Sequence, residues 1–281
     1  MGNGENRVAT PIITSKRDMI SSEQQEKFRA EYNPDGSVLR REQLRMLDIL
    51  LHIDKVCKEH NIHYWLSSGT LLGAVRHGGF IPWDDDLDIE MMREDFLRFK
   101  KVWRDSEDFV LQTPENDLYY INPFLKVRDT HSIIKEHNIR QDYVHNGIFV
   151  DIFAMEPTHK FVNHQTHLQF NRIRKYIAKH ERSKFVDKVV AFRKILAFQA
   201  IKVWRVVSFP FPGKQLRHTL GTWCYRKPRF KKEIFPLTIV KFEGYDFPAP
   251  HNSDAYLRHL YGDYMAIPEE KQIHTVHVEF L

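Results

Sequence analysis

The sequence predicts an α+β fold, a sheet flanked by helices, and three observations carry that prediction. Strand-like alternation runs from Asp86 to Met91, with Leu87, Ile89 and Met91 on one side and Asp86, Asp88 and Glu90 on the other. Gly147-Ile148-Phe149-Val150-Asp151-Ile152-Phe153 is an apolar run of strand length with a single acid inside it. Helical periodicity marks residues 40–60 and much of the stretch from 160 to 211. With 281 residues the chain suits one large domain, or one domain with an appended part, and is long enough to bury a substantial core.

Taken in order, residues 1–37 read as a mobile leader that is polar and carries no signal peptide. Its start resembles a myristoylation site except that Asn6 stands where Ser or Thr is required. Asn33-Pro34-Asp35-Gly36 is a turn. The helix from about Arg40 to His60 has Leu44, Leu47, Leu50, Leu51, Ile53 and Cys57 on its apolar face, and Asn61 ends it. His63 to Leu66 is a short strand that runs into Ser67-Ser68-Gly69 and a helix. Residues 94–104 form a helix with Phe96, Leu97, Phe99 and Trp103 inward, and 109–112 a strand stopped by Pro114. Residues 124–128 and 131–135 pair as a hairpin around Asp129-Thr130. Near the end, 238–242 is a strand and 254–261 a short helix capped by Gly262.

Charge divides the chain. The formal net charge is +5, yet acids crowd positions 84–95 and 105–117, while from Lys160 to Lys232 the only acids are Glu181 and Asp187. An acidic metal site in one part and a basic surface in another follow. The basic stretch interleaves apolar and cationic residues from Phe185 to Phe211. Two readings are open for it: peripheral contact with an anionic membrane, or a helical subdomain with a basic side toward solvent. No nucleic-acid motif accompanies the charge, so nucleic acid is not an expected partner. No run is long enough to span a membrane. Cys57 and Cys224 are the only cysteines, which excludes a Cys-ligated zinc centre and a disulfide framework and fits a cytoplasmic protein.

The candidate site lies at Ser67–Ile89. Four aspartates fall within five positions there, behind a glycine-bearing turn. On a strand, Asp86 and Asp88 share a face with Cα atoms about 6.5–7 Å apart. Their repulsion costs roughly 2–3 kcal/mol at an effective dielectric near 20. A hard cation between them, Mg²⁺ or Mn²⁺, relieves it. Asp151, alone in an apolar strand, is costly unless paired or metal-bound, which makes it the third site carboxylate. The turn at Gly69 and Thr70 places backbone N–H groups at a helix N-terminus, suited to phosphate.

These stretches are similar to the signature of the LicD family. The resemblance rests on Gly69-Thr70-Leu71-Leu72-Gly73-Ala74-Val75-Arg76-His77 followed by Trp83-Asp84-Asp85-Asp86-Leu87-Asp88-Ile89. It extends to the helix 44–61, to Lys126-Val127-Arg128-Asp129-Thr130, to 147–153, and to Phe242-Glu243-Gly244, 247–250 and Tyr261-Gly262-Asp263-Tyr264-Met265 with Pro268. It covers most of 40–275 and touches little of the basic middle or of residues 1–37. The chain departs from the fukutin-related branch in lacking the cysteines of its zinc site.

The resemblance implies a nucleotidyltransferase-like mixed sheet flanked by helices, with an inserted or appended basic helical region. The implied organisation is a leader (1–37), a catalytic core (38–159), a basic helical region (160–232) and a C-terminal part that completes the catalytic domain (233–281). It implies transfer of a phospho-alcohol, phosphocholine first, from CDP-choline or a similar CDP-linked donor to a hydroxyl of a glycan or glycolipid. Asp86 and Asp88 would hold Mg²⁺ or Mn²⁺ against the donor diphosphate. Asp151 would be a third ligand or the base for the acceptor hydroxyl. Gly69 and Thr70 would cradle the phosphates, and Arg76, Lys126 and Arg128 would clamp them. Asp84 and Asp85 would support the ligands or cap the loop. Two rivals are a metal-dependent glycosyltransferase using a nucleotide sugar and a non-catalytic, membrane-associated binding protein.

Overall fold

A computed structural model describes residues 20–136, 142–208, 215–222, 227–268 and 278–280. Its helices are α1 (Ser22–Tyr32), α2 (Val38–Glu59), α3 (Ser68–His77), α4 (Arg93–Val102), α5 (Lys160–Lys179), α6 (Lys184–Ser208), α7 (Lys231–Ile234) and α8 (Ser253–Tyr261). Its strands are β1 (Tyr64–Leu66), β2 (Asp88–Met92), β3 (Phe109–Gln112), β4 (Leu125–Asp129), β5 (Ile134–Glu136), β6 (Phe149–Pro157), β7 (Leu216–His218), β8 (Thr238–Phe242), β9 (Tyr245–Ala249) and β10 (Val278–Phe280).

The main sheet is mixed, in the order β1-β2-β6-β4-β3, and β7 pairs with the end of β6. Among the described residues only β2 and β6 run parallel in this sheet; its other pairings are antiparallel. The long strand β6 is central because its apolar run is covered on both sides. Ile152 pairs with Ile89 of β2 and with Leu125 of β4, and these three are buried in the main core with Val127 and Val150. Residues of α2, α3, α8 and of the β8–β9 hairpin complete that core. A second apolar cluster lies between α5 and α6, where Phe170, Ile173, Val190 and Ile201 pack with Tyr119, Ile121 and Leu220.

Several expectations are corrected. Residues 22–32, inside the expected leader, are a helix with a capping box at Ser21, and Phe28 and Tyr32 meet Trp83 edge-on at 5.5 and 5.3 Å; residues 1–19 lie outside the described chain. Residues 124–128 and 131–135 do not pair with each other: β4 sits between β3 and β6, and β5 pairs with β10. Leu44 and Leu97 are exposed, because each faces away from the stripe its helix buries. Asp86 precedes β2 and is exposed, and both faces of β2 are buried rather than one. Among the described residues no helix is long and apolar enough to cross a membrane.

Candidate active site

The sheet itself assembles the first part of the site. Asp88 of β2 is in register with Asp151 of β6, and Asp151 is in register with Lys126 of β4. Register partners project from the same face. Asp88, Asp151 and Lys126 therefore form one row across three strands. The Lys126 ammonium sits 2.8 Å from Asp151 Oδ1 and 3.1 Å from the centroid of the Phe149 ring. Lys126 is buried, so the pair is shielded from the screening that weakens surface ion pairs.

The glycine turn positions this row rather than standing apart from it. The Asp88 backbone N–H donates to Thr70 Oγ1 at 2.8 Å, and the Ser67 N–H donates to the Asp88 carbonyl at 3.1 Å. Ser68 opens α3 with φ +50°, a left-handed conformation costly for a residue with a side chain. Gly69 is required by close approach: a Cβ there would lie 2.8 Å from Asp84 Oδ2. Thus Thr70 spends its hydroxyl on the strand, and Gly69 makes room for a carboxylate.

The loop before β2 supplies the second part. Asp84, Asp85 and Asp86 each offer a carboxylate oxygen within 4.8 Å of the others. At that spacing each like-charged pair costs roughly 3–4 kcal/mol at an effective dielectric of 20. Burial, then Asp86 and Asp85, push the Asp84 carboxyl well above its ordinary range, with Arg76 opposing. Helix α2 clamps the loop: Gln43 Nε2 donates to the carbonyls of Asp84 at 2.9 Å and Ile81 at 3.3 Å. Beside Gln43, Glu42 is buried on the same helix, and its Oε2 has no hydrogen-bond partner among the described residues. Burial, then Asp85 and Asp86, push its carboxyl up to about 8.

A third group lies two residues along β2. Glu90 is fully buried and accepts from Trp65 Nε1 at 2.9 Å, Tyr256 Oη at 3.0 Å and Arg229 Nη2 at 3.0 Å. His218 Nε2 lies 3.0 Å from Oε1, the oxygen that also accepts from Arg229, while Trp65 and Tyr256 donate to Oε2. Burial alone would raise Glu90; Arg229, then His218 and Tyr256, outweigh it and hold the carboxyl down to about 2. Burial keeps His218 below its ordinary range despite Glu90.

The other expected site residues have structural partners. Arg76 donates to the carbonyls of Tyr264 and Ala266 at 2.7 and 3.1 Å, which anchors the turn after α8. Burial lowers it to about 10, with Asp84 opposing. Arg128 is fully buried and donates to Gln112 Oε1 and to the Gly147 carbonyl at 2.6 and 2.8 Å. Two neighbours of the site were not anticipated. One is Glu42, whose signal was an acid inside the buried stripe between Leu39 and Met46. The other is Tyr261: the residue is 42% exposed, while its hydroxyl, bonded to Ser68, is pushed up by burial and then by Asp88.

Residues 61–191 match the family described as LicD/FKTN/FKRP, nucleotidyltransferase domain. The lipopolysaccharide cholinephosphotransferase LicD of Haemophilus influenzae is 31% identical over 259 residues, which is 86% of this chain and 96% of that protein. The human ribitol 5-phosphate transferase FKRP is 50% identical over 40 residues, 14% of this chain and 8% of that protein. The mouse ribitol-5-phosphate transferase FKTN is 31% identical over 96 residues, 34% and 18% of the two chains.

Proposed function

The chain belongs to the LicD family, and from that premise we propose that it moves phosphocholine from CDP-choline to a hydroxyl of a cell-surface glycan. At the coarser level it is a phospho-alcohol transferase, the class to which its named relatives belong. The observation that supports metal-dependent transfer from a diphosphate donor is the row Asp88–Asp151–Lys126 beside the carboxylates of Asp84, Asp85 and Asp86, and choline is proposed from the likeness to the cholinephosphotransferase. A site for an anionic diphosphate donor has no use for so many carboxylates unless a cation joins them.

The residues fit a hard divalent cation. The donor set is all oxygen, the carboxylates of Asp84, Asp85 and Asp86 converge within 4.8 Å, and the buried Glu42 Oε2 has no hydrogen-bond partner among the described residues. Asp86, from that trio, and Asp88, at the start of β2, would hold Mg²⁺ or Mn²⁺, with Asp151 beside Asp88 in register. When bound, the cation would offset the charge of the donor diphosphate and of the departing nucleotide.

The chain's own residues supply the rest. Asp151, fixed by Lys126, takes the proton from the acceptor hydroxyl. The acceptor oxygen then bonds to the phosphorus that carries choline, the bond from that phosphorus to the CMP oxygen breaks, and CMP leaves. Thr70 and Ser67 keep Asp88 in place through the backbone of β2. Tyr261, half-exposed at the edge of the aspartates, offers a face for the donor.

The test is nucleotide release with an isolated glycan acceptor, CMP from CDP-choline, CDP-ethanolamine and CDP-ribitol and the nucleoside diphosphate from a nucleotide sugar, in Mg²⁺ and in Mn²⁺. Metal-dependent CMP release that is fastest with CDP-choline is expected. Turnover of the nucleotide sugar alone would move the assignment to a glycosyltransferase. Silence with every donor would leave a binding protein.

A further inference from the structure

Away from the site, α6 presents two faces of opposite use. Val186, Val190, Ala197 and Ile201 are buried. Phe185, Phe192, Ile195, Leu196, Val203 and Val206 are each more than half exposed. Their spacing of three, four and seven residues puts them on one stripe, about 30 Å long at the helical rise. Exposed apolar side chains scattered singly need no explanation, whereas a continuous stripe marks a contact surface.

Beside the stripe runs a groove of about 670 Å³ between α5 and α6, lined by Arg172, Lys175, Tyr176, Lys179, Arg193 and Leu196. The Arg193 guanidinium lies 4.2 Å from the Tyr176 ring centroid. Among the described residues, none of these four cations makes an ion pair. Residues 160–208 hold twelve Lys and Arg against two acids. Leu196 belongs to both groove and stripe, so cations and apolar side chains form one surface.

That combination selects the occupant. An acidic polymer would satisfy the cations and leave the stripe in water. A second copy would bring the same positive charge against itself. A bilayer with anionic headgroups satisfies both, because phosphates meet the cations while the apolar side chains enter the interfacial layer. We propose that the outer face of the α5–α6 hairpin docks on an anionic phospholipid bilayer. The hairpin is tied to the catalytic sheet: Arg205 of α6 pairs with Glu156 of β6 at 2.8 Å, and Lys194 donates to the Asp117 carbonyl at 2.7 Å. Docking would therefore hold β6, with Asp151, at a set orientation to the membrane. The inference stands whichever phospho-alcohol the site transfers.

The experiment is co-sedimentation of the full chain with phosphatidylcholine vesicles, with and without phosphatidylglycerol, over a range of salt. Binding that needs phosphatidylglycerol and weakens with salt is expected. Arg172→Gln/Lys175→Gln/Lys179→Gln should cut partitioning on the order of 100-fold. Ile195→Ser/Val203→Ser should cut it roughly tenfold or more, with unchanged circular dichroism because both residues are exposed. Equal recovery on neutral and anionic vesicles would overturn the proposal, as would full binding by both variants. So would a lipid-free dimer in sedimentation that the Ser variant dissolves, or soluble heparin binding as tight as vesicle binding and indifferent to the Ser variant.

Discussion

Asp88 and Asp151 lie opposite one another on the adjacent parallel strands β2 and β6. Neighbouring strands are about 4.8 Å apart, so two carboxylates on that row repel by roughly 3 kcal/mol at an effective dielectric of 20. Lys126 offsets the charge from the Asp151 side only. Replacing Asp88 or Asp86 by Asn should lower turnover by on the order of 10²-fold or more, while stability in chelator holds or rises. Urea denaturation and CMP release on the same preparations check this. Near-native turnover of either variant at saturating Mg²⁺ would remove that residue from the cation site.

Asp151 and Lys126 separate two roles. As a base, Asp151→Asn should lose roughly 10²–10⁴-fold in the transfer step and keep its affinity for donor and metal. As a ligand, it should instead raise the metal concentration for half-maximal activity. Lys126→Met discriminates further: it leaves the carboxylate but removes its 2.8 Å partner. A metal titration and a donor-binding isotherm on both variants decide the matter. A tenfold shift in either for Asp151→Asn counts against the base.

Local pattern made much of this legible. The strand 109–112 and the strand 238–242 lie where alternation and bounding turns place them, and Asp151 stands out as a lone acid in an apolar run. What periodicity cannot carry is a partner far away in sequence. Glu90 looked like one more acid on an exposed face, yet its partners His218 and Arg229 come from the basic segment some 130 residues on. Helix α1 buries no residue fully, so no apolar stripe announced it; aromatic contacts of Phe28 and Tyr32 with Trp83 and the 2.7 Å contact of Gln25 Oε1 with His77 Nδ1 hold it. The hairpin expected at Asp129-Thr130 failed because β3 and β6 already occupy both edges of β4.

Thr70 is a positioning residue. Thr70→Val removes the acceptor of the Asp88 N–H and leaves a buried donor unmade, at a cost of about 1–3 kcal/mol. Turnover should fall with it. Thr70→Ser keeps the oxygen and should keep most of both. Stability and turnover of the two variants are to be compared directly. If Val serves as well as Thr, the hydroxyl does not hold the strand.

Glu90 and Arg229 are buried together at 3.0 Å. Arg229→Met should cost about 3–5 kcal/mol, since it leaves a buried carboxylate without its main counter-charge. The double variant Glu90→Gln/Arg229→Met should recover part of that loss. Because the folded carboxyl is held at about 2 against an ordinary 4.5, its contribution is present above pH 4.5 and lost as pH falls toward 2. Denaturation midpoints along that range, for parent and Glu90→Gln, should converge as the acid is protonated. Parallel curves would mean that the network does not hold Glu90 ionised.

Glu42 makes the opposite pH prediction. Its carboxyl titrates at about 8 in the folded chain against an ordinary 4.5. Between those values the unfolded chain has lost a proton that the folded chain still holds, so stability falls as pH rises through this window and is flat on either side. Glu42→Gln cannot ionise and should lack that component, whereas Asp84, raised in the same sense, remains in both proteins. The difference in unfolding free energy, variant minus parent, should therefore grow from pH 5 to pH 8.5 by an amount on the order of a few kcal/mol. Mn²⁺ should shrink the difference, because a cation held at Asp86 favours the ionised form of the neighbouring Glu42 in the parent and finds no such charge in the variant. Urea denaturation at the two pH values, in chelator and in Mn²⁺, measures all four quantities. A difference that stays constant with pH would show that Glu42 does not meet the aspartates as the packing of α2 places it.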